Sequence, residues 1–384
     1  MSKTTTIISL FLLLSTTITT AITTVSSDIT ALKSLKSYIN PKTIPSYTCL
    51  HSWDFTSDPC SPPHVTHFLC GLTCTKNRVT QLTLDPAGYT GTLSPLVSQL
   101  TQLITIDLSD NKFFGPIPNS IFSLPNLQTL ILGSNSFSGT IPPSIQNLKK
   151  LQTLDISHNS LSGSLPPNSL TQLTELTRLD LSYNKLTGPI PKLPKNIIQL
   201  ALKSNSLSGY LQKPSFTELT QLEVLELSEN SLTGTIPAWV FLIPSIQQIN
   251  LSNNTFTSIQ VSKPSVNSNL IAVDLGYNKI SGYPPVNFSI YPMLASLTLR
   301  YNKLRGRIPW EYTKTTTLSR LFLDGNFLIG LPPKEFFSGK NIISGSLGDN
   351  CLKSCPISSG LCLKSQKPWS ICQQAYRGKQ KPKS

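Results

Sequence analysis

Apolar and polar positions alternate along most of the chain in one repeated order. An apolar residue is followed by two variable ones, an apolar, one variable, an apolar, two variable, and then Asn. The stretch Leu103 to Gly115, LITIDLSDNKFFG, shows the order with Leu103, Ile106, Leu108 and Asn111. The asparagine returns at Asn135, Asn159, Asn184, Asn205, Asn230, Asn254, Asn278, Asn302, Asn326 and Asn350, at spacings of 24, 24, 25, 21, 25, 24, 24, 24, 24 and 24. A twelfth copy begins at Val79, where Ala87 takes the asparagine's place. The apolar-variable-apolar core of each copy predicts a short strand, and no single copy can bury its own apolar face, so neighbours must stack into a solenoid. Twelve strands about 4.8 Å apart would form a parallel sheet roughly 55 Å long. The asparagine falls where the chain leaves the strand and turns inward. An amide offers donors and an acceptor together, so a ladder of them can satisfy buried backbone groups from copy to copy.

After the asparagine comes Gly, usually followed by Ile-Pro or Leu-Pro, as in Gly115-Pro116-Ile117-Pro118, Gly139-Thr140-Ile141-Pro142, Gly163-Ser164-Leu165-Pro166 and Gly234-Thr235-Ile236-Pro237. Glycine tolerates positive φ and close approach of backbone; proline removes a donor and discourages a regular helix on the far side. This LSGxIP form resembles the plant extracellular subclass of leucine-rich repeats. The resemblance implies an α/β repeat fold: a leucine-rich-repeat solenoid of about 12 plant-type units, with a parallel sheet on the concave face and a disulfide-bonded cap at each end. Gly gives way to Ser258, and the Ile-Pro pair to Leu211-Gln212, Ile259-Gln260 and Tyr283-Pro284. The short spacing from Asn184 to Asn205 predicts a shortened convex segment over Pro189 to Ile198.

The flanks complete the division of the chain. Residues 1–27 read as a secretory signal, with Lys3 before the apolar run Ile7 to Leu14 and cleavage at Thr19-Thr20-Ala21 or Ser26-Ser27; an uncleaved anchor is the rival. Residues 28–78 read as an N-terminal cysteine cap, 79–350 as the repeats, and 351–384 as a C-terminal cysteine cap with a basic tail. Asp28 to Ile39 predicts a helix, with Asp28 as its cap and Leu32, Leu35 and Ile39 at helical spacing. Trp53 and Asp58-Pro59-Cys60 resemble the plant N-terminal cap, although Ser61 to Thr73 lacks a second tryptophan and carries an extra cysteine.

All eight cysteines lie outside the repeats: Cys49, Cys60, Cys70 and Cys74 before them, Cys351, Cys355, Cys362 and Cys372 after. An even number in a secreted chain predicts disulfides within each group of four, with three pairings open in each. His64, His67, Cys70 and Cys74 have loosely metal-like spacing, and zinc is the alternative there; the reading assigns no metal and no cofactor.

Charge then changes the picture. The 384 residues carry 32 basic and 18 acidic side chains, a net +14. Such an excess suggests a polyanion, but ten of the acids lie at the outward strand positions, among them Asp107, Asp155, Asp180, Glu226, Glu229 and Asp274. The inner face is therefore net acidic. No basic groove interleaved with aromatics is present, which argues against nucleic acid. From Lys340 onward there are eight basic residues and one acid, so the tail is a candidate for retention on pectin. No run of about 20 apolar residues predicts a membrane helix.

Catalysis needs a positioned nucleophile, acid and base. The four histidines are His51, His64, His67 and His158, and only His158, beside Asp155, faces the inner surface; this predicts no enzyme. Recognition through the inner face is the expectation instead, because aromatic and arginine side chains anchor interfaces. The candidates are Asp155, His158, Arg178, Asp180, Tyr183, Glu226, Glu229, Asp274, Tyr277, Arg300, Tyr301, Arg320 and Phe322. Sequons stand at Asn250, Asn253 and Asn287. The resemblance implies a secreted protein of the extracellular space or cell wall, of the receptor-like or polygalacturonase-inhibiting type. Its partner would be an extracellular protein or peptide, such as a receptor-kinase ectodomain or a polygalacturonase. A structural wall protein held on pectin by its tail is the third expectation.

Overall fold

The computed structural model describes residues 23–56, 58–60, 71–264, 267–338, 343–356 and 358–377. The leader to residue 22, His64, His67, Cys70 and the last seven residues lie outside the described residues, and with them the signal, the zinc alternative and the pectin-binding tail.

The repeats stack as their pattern requires. Among the described residues the largest sheet has 13 strands; all pair in parallel except Gly71–Thr75 at the N-terminal edge, which pairs antiparallel with Arg78–Thr83. Most of the parallel strands are three residues long and lie in strict register: Thr153, Arg178 and Gln199 side by side, then Asp155, Asp180 and Ala201. Between them Leu154, Leu179 and Leu200 are fully buried, and the apolar seam runs unbroken from Ala31 to Cys362. So short a strand has no independent stability; the seam supplies it.

The asparagines form the expected ladder. Asn159 accepts from the Phe137 N–H at 2.8 Å and donates to the carbonyls of Leu132, Ile156 and Ser157 at 3.0, 3.2 and 2.9 Å. Two of those partners belong to the preceding repeat, so each amide ties one turn to the last. The residue before each asparagine carries positive φ, including His158 (51°), Tyr183 (55°), Glu229 (56°), Tyr277 (56°) and Tyr301 (50°). A left-handed residue costs about 1 kcal/mol, and the amide bonds beside it offset that cost.

A second sheet was not anticipated. The residues after each asparagine pair with their neighbours, as Ser206–Gly209 does with Lys185–Gly188. Among the described residues eight such strands run continuously to Thr255–Ile259, and a separate set of four begins at Ser281–Gly282. The gap falls at the repeat where Ser258 replaces glycine. Across the short spacing, no helical turn joins Lys185–Gly188 to Gln199–Ala201.

The ends depart from expectation in detail. The N-terminal helix is Ser26–Ser37, beginning before Asp28, with Val25 as its cap. Ahead of the helix, the Thr24 N–H donates to Asp58 at 2.7 Å and the Val25 N–H to the Asn77 carbonyl at 3.1 Å. Asp28 does not cap its helix. In the first turn, its fully buried carboxylate accepts from Arg78 Nε and Nη2 at 3.1 and 3.0 Å and from the Val79 N–H at 2.9 Å. Cys60–Cys74, Cys351–Cys372 and Cys355–Cys362 are bridged and Cys49 is disulfide-bonded, so Cys74 belongs to a bridge. Cys70 lies outside the described residues.

Candidate functional site

Strict register turns the concave sheet into columns of side chains, one residue per repeat. The first column contains Asp155, Asp180, Ala201, Glu226, Asn250, Asp274, Thr298 and Phe322 in successive strands. Most of these polar residues have a local duty. Asp155 accepts from the Ser157 N–H and hydroxyl at 3.0 and 2.7 Å, and Asp180 from the Ser182 N–H at 2.9 Å. Glu226, Asn250 and Asp274 do the same for Ser228, Ser252 and Gly276. Short acidic and amide side chains that bond two residues ahead stabilise turns. The acids are therefore turn-formers first, and Glu226 uses its second oxygen as well, to accept from Asn250.

The sequence reading set His158 beside Asp155. The structure turns it elsewhere: the imidazole stacks on Tyr183, 4.0 Å between centroids and 16° between planes. Both are positive-φ residues, and that backbone aims them along the rim of the sheet instead of down onto the acids. Lys203 extends the group, 5.4 Å over the Tyr183 ring and 3.3 Å from Glu229, whose other oxygen meets the Ser204 hydroxyl. Tyr183 and, after it, Glu229 hold the Lys203 ammonium above its ordinary pKa against partial burial.

Four strands further on the rim repeats the device. Tyr277 and Tyr301 stack at 4.7 Å and 15°. Arg300 lies over Phe322 and Tyr301, 4.9 and 5.8 Å from the ring centres, and grips fully buried Asp324 through Nε and Nη2 at 3.1 and 3.0 Å. Lys364 arrives from the C-terminal cap to meet the Tyr301 hydroxyl at 2.8 Å and Asp324 at 3.1 Å. Nothing near position 364 in the sequence signals that reach. Arg178 and Arg320 begin their strands at the same register position, six strands apart, both exposed. They are not brought together: Arg178 is on the strand that leads to Tyr183, and Arg320 on the strand of Phe322.

Between those groups lies a depression of about 190 Å³ lined by Glu226, Gln248, Asn250, Asp274 and Thr298. Asn250 donates to Glu226 at 2.9 Å. Burial pushes the Asp274 carboxyl above the usual carboxylate range, against the Gly276 N–H and Arg300, which pull it down. Of the sequon residues, Asn253 is exposed on the rim, while half-buried Asn287 donates to the Val261 carbonyl at 2.7 Å. Among the described residues no cluster of His, Cys, Asp or Glu could hold a metal, and no helix is long and apolar enough to cross a membrane.

Comparisons with known proteins point one way. The family described as leucine rich repeat matches residues 125–186, 195–256 and 244–304, and a single-repeat form matches 102–124, together about half of the chain. Receptor-like kinase TMK4 of Arabidopsis thaliana is 36% identical over 110 residues, covering 29% of this chain and 10% of that protein. Among solved structures, the PEPR1–AtPEP1 crystal structure superposes with a TM-score of 0.75 at 30% identity, covering 85% of this chain and 46% of that one. The plant peptide hormone receptor RGFR1 in complex with RGF2 gives 0.63 at 34% identity, covering 68% and 42%. The chain spans less than half of either structure and about a tenth of TMK4.

Proposed function

Given that the chain belongs to the plant extracellular leucine-rich-repeat family, we propose that its concave sheet and aromatic rim bind an extended peptide or protein segment outside the cell, with no chemistry of their own. One observation carries the reading: two stacked aromatic pairs, each with a cation over a ring, stand at the same rim position, their facing members Tyr183 and Tyr277 four strands apart. That is about 19 Å at the strand spacing, the span of roughly six extended residues. The half-buried acids Glu226 and Asp274 lie between, so the segment that fits is basic. Exposed tyrosines with fixed neighbours lose little entropy on binding, and such residues dominate interface energy. The solved relatives support the reading, since one of them is a plant peptide hormone receptor, RGFR1, in complex with RGF2. We place a glycan on Asn253 at the rim, where it would mark one edge of the segment's path. The finer identity of the partner, whether a free peptide or the ectodomain of a receptor kinase, belongs to the same proposal.

The test uses the secreted chain and its Tyr277→Ala/Tyr301→Ala variant, each exposed to the peptide pool of plant extracellular fluid, with bound peptides identified by mass spectrometry. Basic peptides held by the parent should be lost by the variant, with affinity for a synthetic copy falling by at least about 2 kcal/mol. Equal capture by both proteins would overturn the proposal.

A further inference from the structure

The depression on the concave sheet has a cause in the strand register. Two residues before the first column, successive strands carry Val224, Gln248, Ala272, Ser296 and Arg320 side by side. Gln248 and Arg320 are exposed, and the two residues between them are small. The depression of about 190 Å³ opens where that side-chain volume is missing. Val224 and Ala272 give it apolar walls, and Asp274 and Thr298 line it from the neighbouring column.

Its polar lining is incompletely satisfied. Thr298 is only 9% exposed, yet its hydroxyl, turned into the depression, meets no hydrogen-bond partner among the described residues. Asp274 is half-buried; its Oδ1 accepts from the Gly276 N–H at 2.8 Å, and its Oδ2 accepts from no described residue. Arg300, whose charge reaches Asp274, gives its Nε and Nη2 to Asp324 instead. Buried polar groups are normally paired, and an unpaired hydroxyl and carboxylate oxygen in one depression mark a place for a donor.

We propose, on the basis of the peptide-binding reading of this face, that the depression is a specificity pocket for one primary alkylammonium, the side chain of a lysine in the bound segment. The methylene stem lies along Val224 and Ala272, and the ammonium donates to Asp274 Oδ2 and to the Thr298 hydroxyl. The lining selects lysine over arginine. A guanidinium pairs best with both oxygens of one carboxylate at once. Asp274 has one oxygen engaged by Gly276, and Glu226 has both engaged, by the Ser228 N–H and Asn250. An ammonium is a compact charge with three donors, and it makes single bonds to separate acceptors. Asp274 stands three residues before Tyr277, so the lysine enters beside the Tyr277–Tyr301 stack.

Titration calorimetry of the full chain with end-blocked hexalysine, end-blocked hexaarginine and the free diamine cadaverine tests this. Hexalysine should bind the parent at least about fivefold more tightly than hexaarginine, and about tenfold or more above cadaverine. Asp274→Asn keeps an acceptor for the Gly276 N–H; it should weaken hexalysine about tenfold and abolish the preference over hexaarginine. Ala272→Gln fills the depression with the residue that Gln248 carries at the same position one strand earlier, and should abolish the preference too. Tyr277→Ala/Tyr301→Ala should weaken both peptides alike and keep the preference. No preference for hexalysine in the parent, or a preference that survives Asp274→Asn or Ala272→Gln, would overturn the pocket; loss of both peptides in the tyrosine variant would then leave the peptide reading standing. Cadaverine as tight as hexalysine would make the occupant a free diamine and overturn the lysine assignment. Hexalysine binding that falls in Asp274→Asn and is unmoved in the tyrosine variant would uphold the pocket and place the fault in the wider reading.

Discussion

The two ends of the solenoid solve one problem in opposite directions. Each must cover a raw apolar edge, and each does so with disulfides and a carboxylate of zero exposure gripped by an arginine through two nitrogens. At the N-terminal end the acid, Asp28, is on the cap helix, and the arginine, Arg78, is on the first repeat strand. Asp28 also satisfies the N–H of Val79, which opens the array. At the C-terminal end the acid, Asp324, belongs to a repeat, as does its arginine, and the cap contributes only Lys364, from the exposed side. The first cap is bolted through the core. The second reaches Tyr301 and Asp324 through the Lys364 ammonium. One end is purely a closure; the other is also part of the candidate site.

That contrast can be broken at several points. Asp28→Ala strands Arg78 and the Val79 N–H, and should lower unfolding free energy by about 3 kcal/mol, read from the denaturant midpoint. A loss under half of that would mean the N-terminal cap does not depend on this pair. Asp324→Asn leaves its cations partly in water, so the expected loss is smaller, about 2 kcal/mol by the same measurement. Lys364→Ala should shift stability by no more than about 0.5 kcal/mol, because the ammonium is half in solvent, yet it should alter peptide affinity at Tyr301. Affinity unmoved would show that the C-terminal cap closes the array and does nothing else.

The smallest effect lies between the ends and depends on pH. Asp274 holds its proton more tightly when folded, chiefly because it is buried. Ionising it therefore costs stability; the cost is absent below the unfolded pKa of about 3.9 and complete above the raised folded value. Asp274→Asn keeps an acceptor for the Gly276 N–H, as Asn250 does for Ser252. Its melting temperature should exceed that of the parent near neutral pH and converge with it at about pH 3. A constant gap across that range would remove the ionisation argument.

Much of the architecture could be read from spacing alone, because one asparagine per turn leaves the strand, the bend and the stacking few alternatives. The missing convex turn was announced by the 21-residue interval, and the interrupted second sheet by Ser258. The second sheet itself was written in the alternation of NSLSG-type segments, a period of two that passed unread beside the stronger leucine signal. The antiparallel edge strand of the concave sheet, Gly71–Thr75, was announced only by a short Lys76-Asn77 turn. The site was legible in its residues and illegible in its contacts. Tyr277 and Tyr301 were both among the candidates, and equal register brings their rings together. His158 was matched to the wrong neighbour, because sequence does not show that the position before each asparagine is left-handed. The absence of Val, Ile and Thr from that position was the available clue, since branched side chains resist positive φ. Lys364 could not be foreseen, since its partner lies 40 residues away across a disulfide-bonded cap.

The gap in the second sheet has a mechanical consequence. On the concave side the strands Gln248–Asn250, Ala272–Asp274 and Ser296–Thr298 continue hydrogen-bonded through that level, while on the other side the regular ladder of Thr255–Ile259 gives way, before Ser281–Gly282, to the Lys279 N–H on the Phe256 carbonyl at 2.9 Å and the Ser281 hydroxyl on the Thr257 carbonyl at 3.3 Å. A strip thinned along one edge yields first where it is thin. The two aromatic pairs of the rim stand on either side of that level, so compliance there would adjust the distance between them without disturbing either pair.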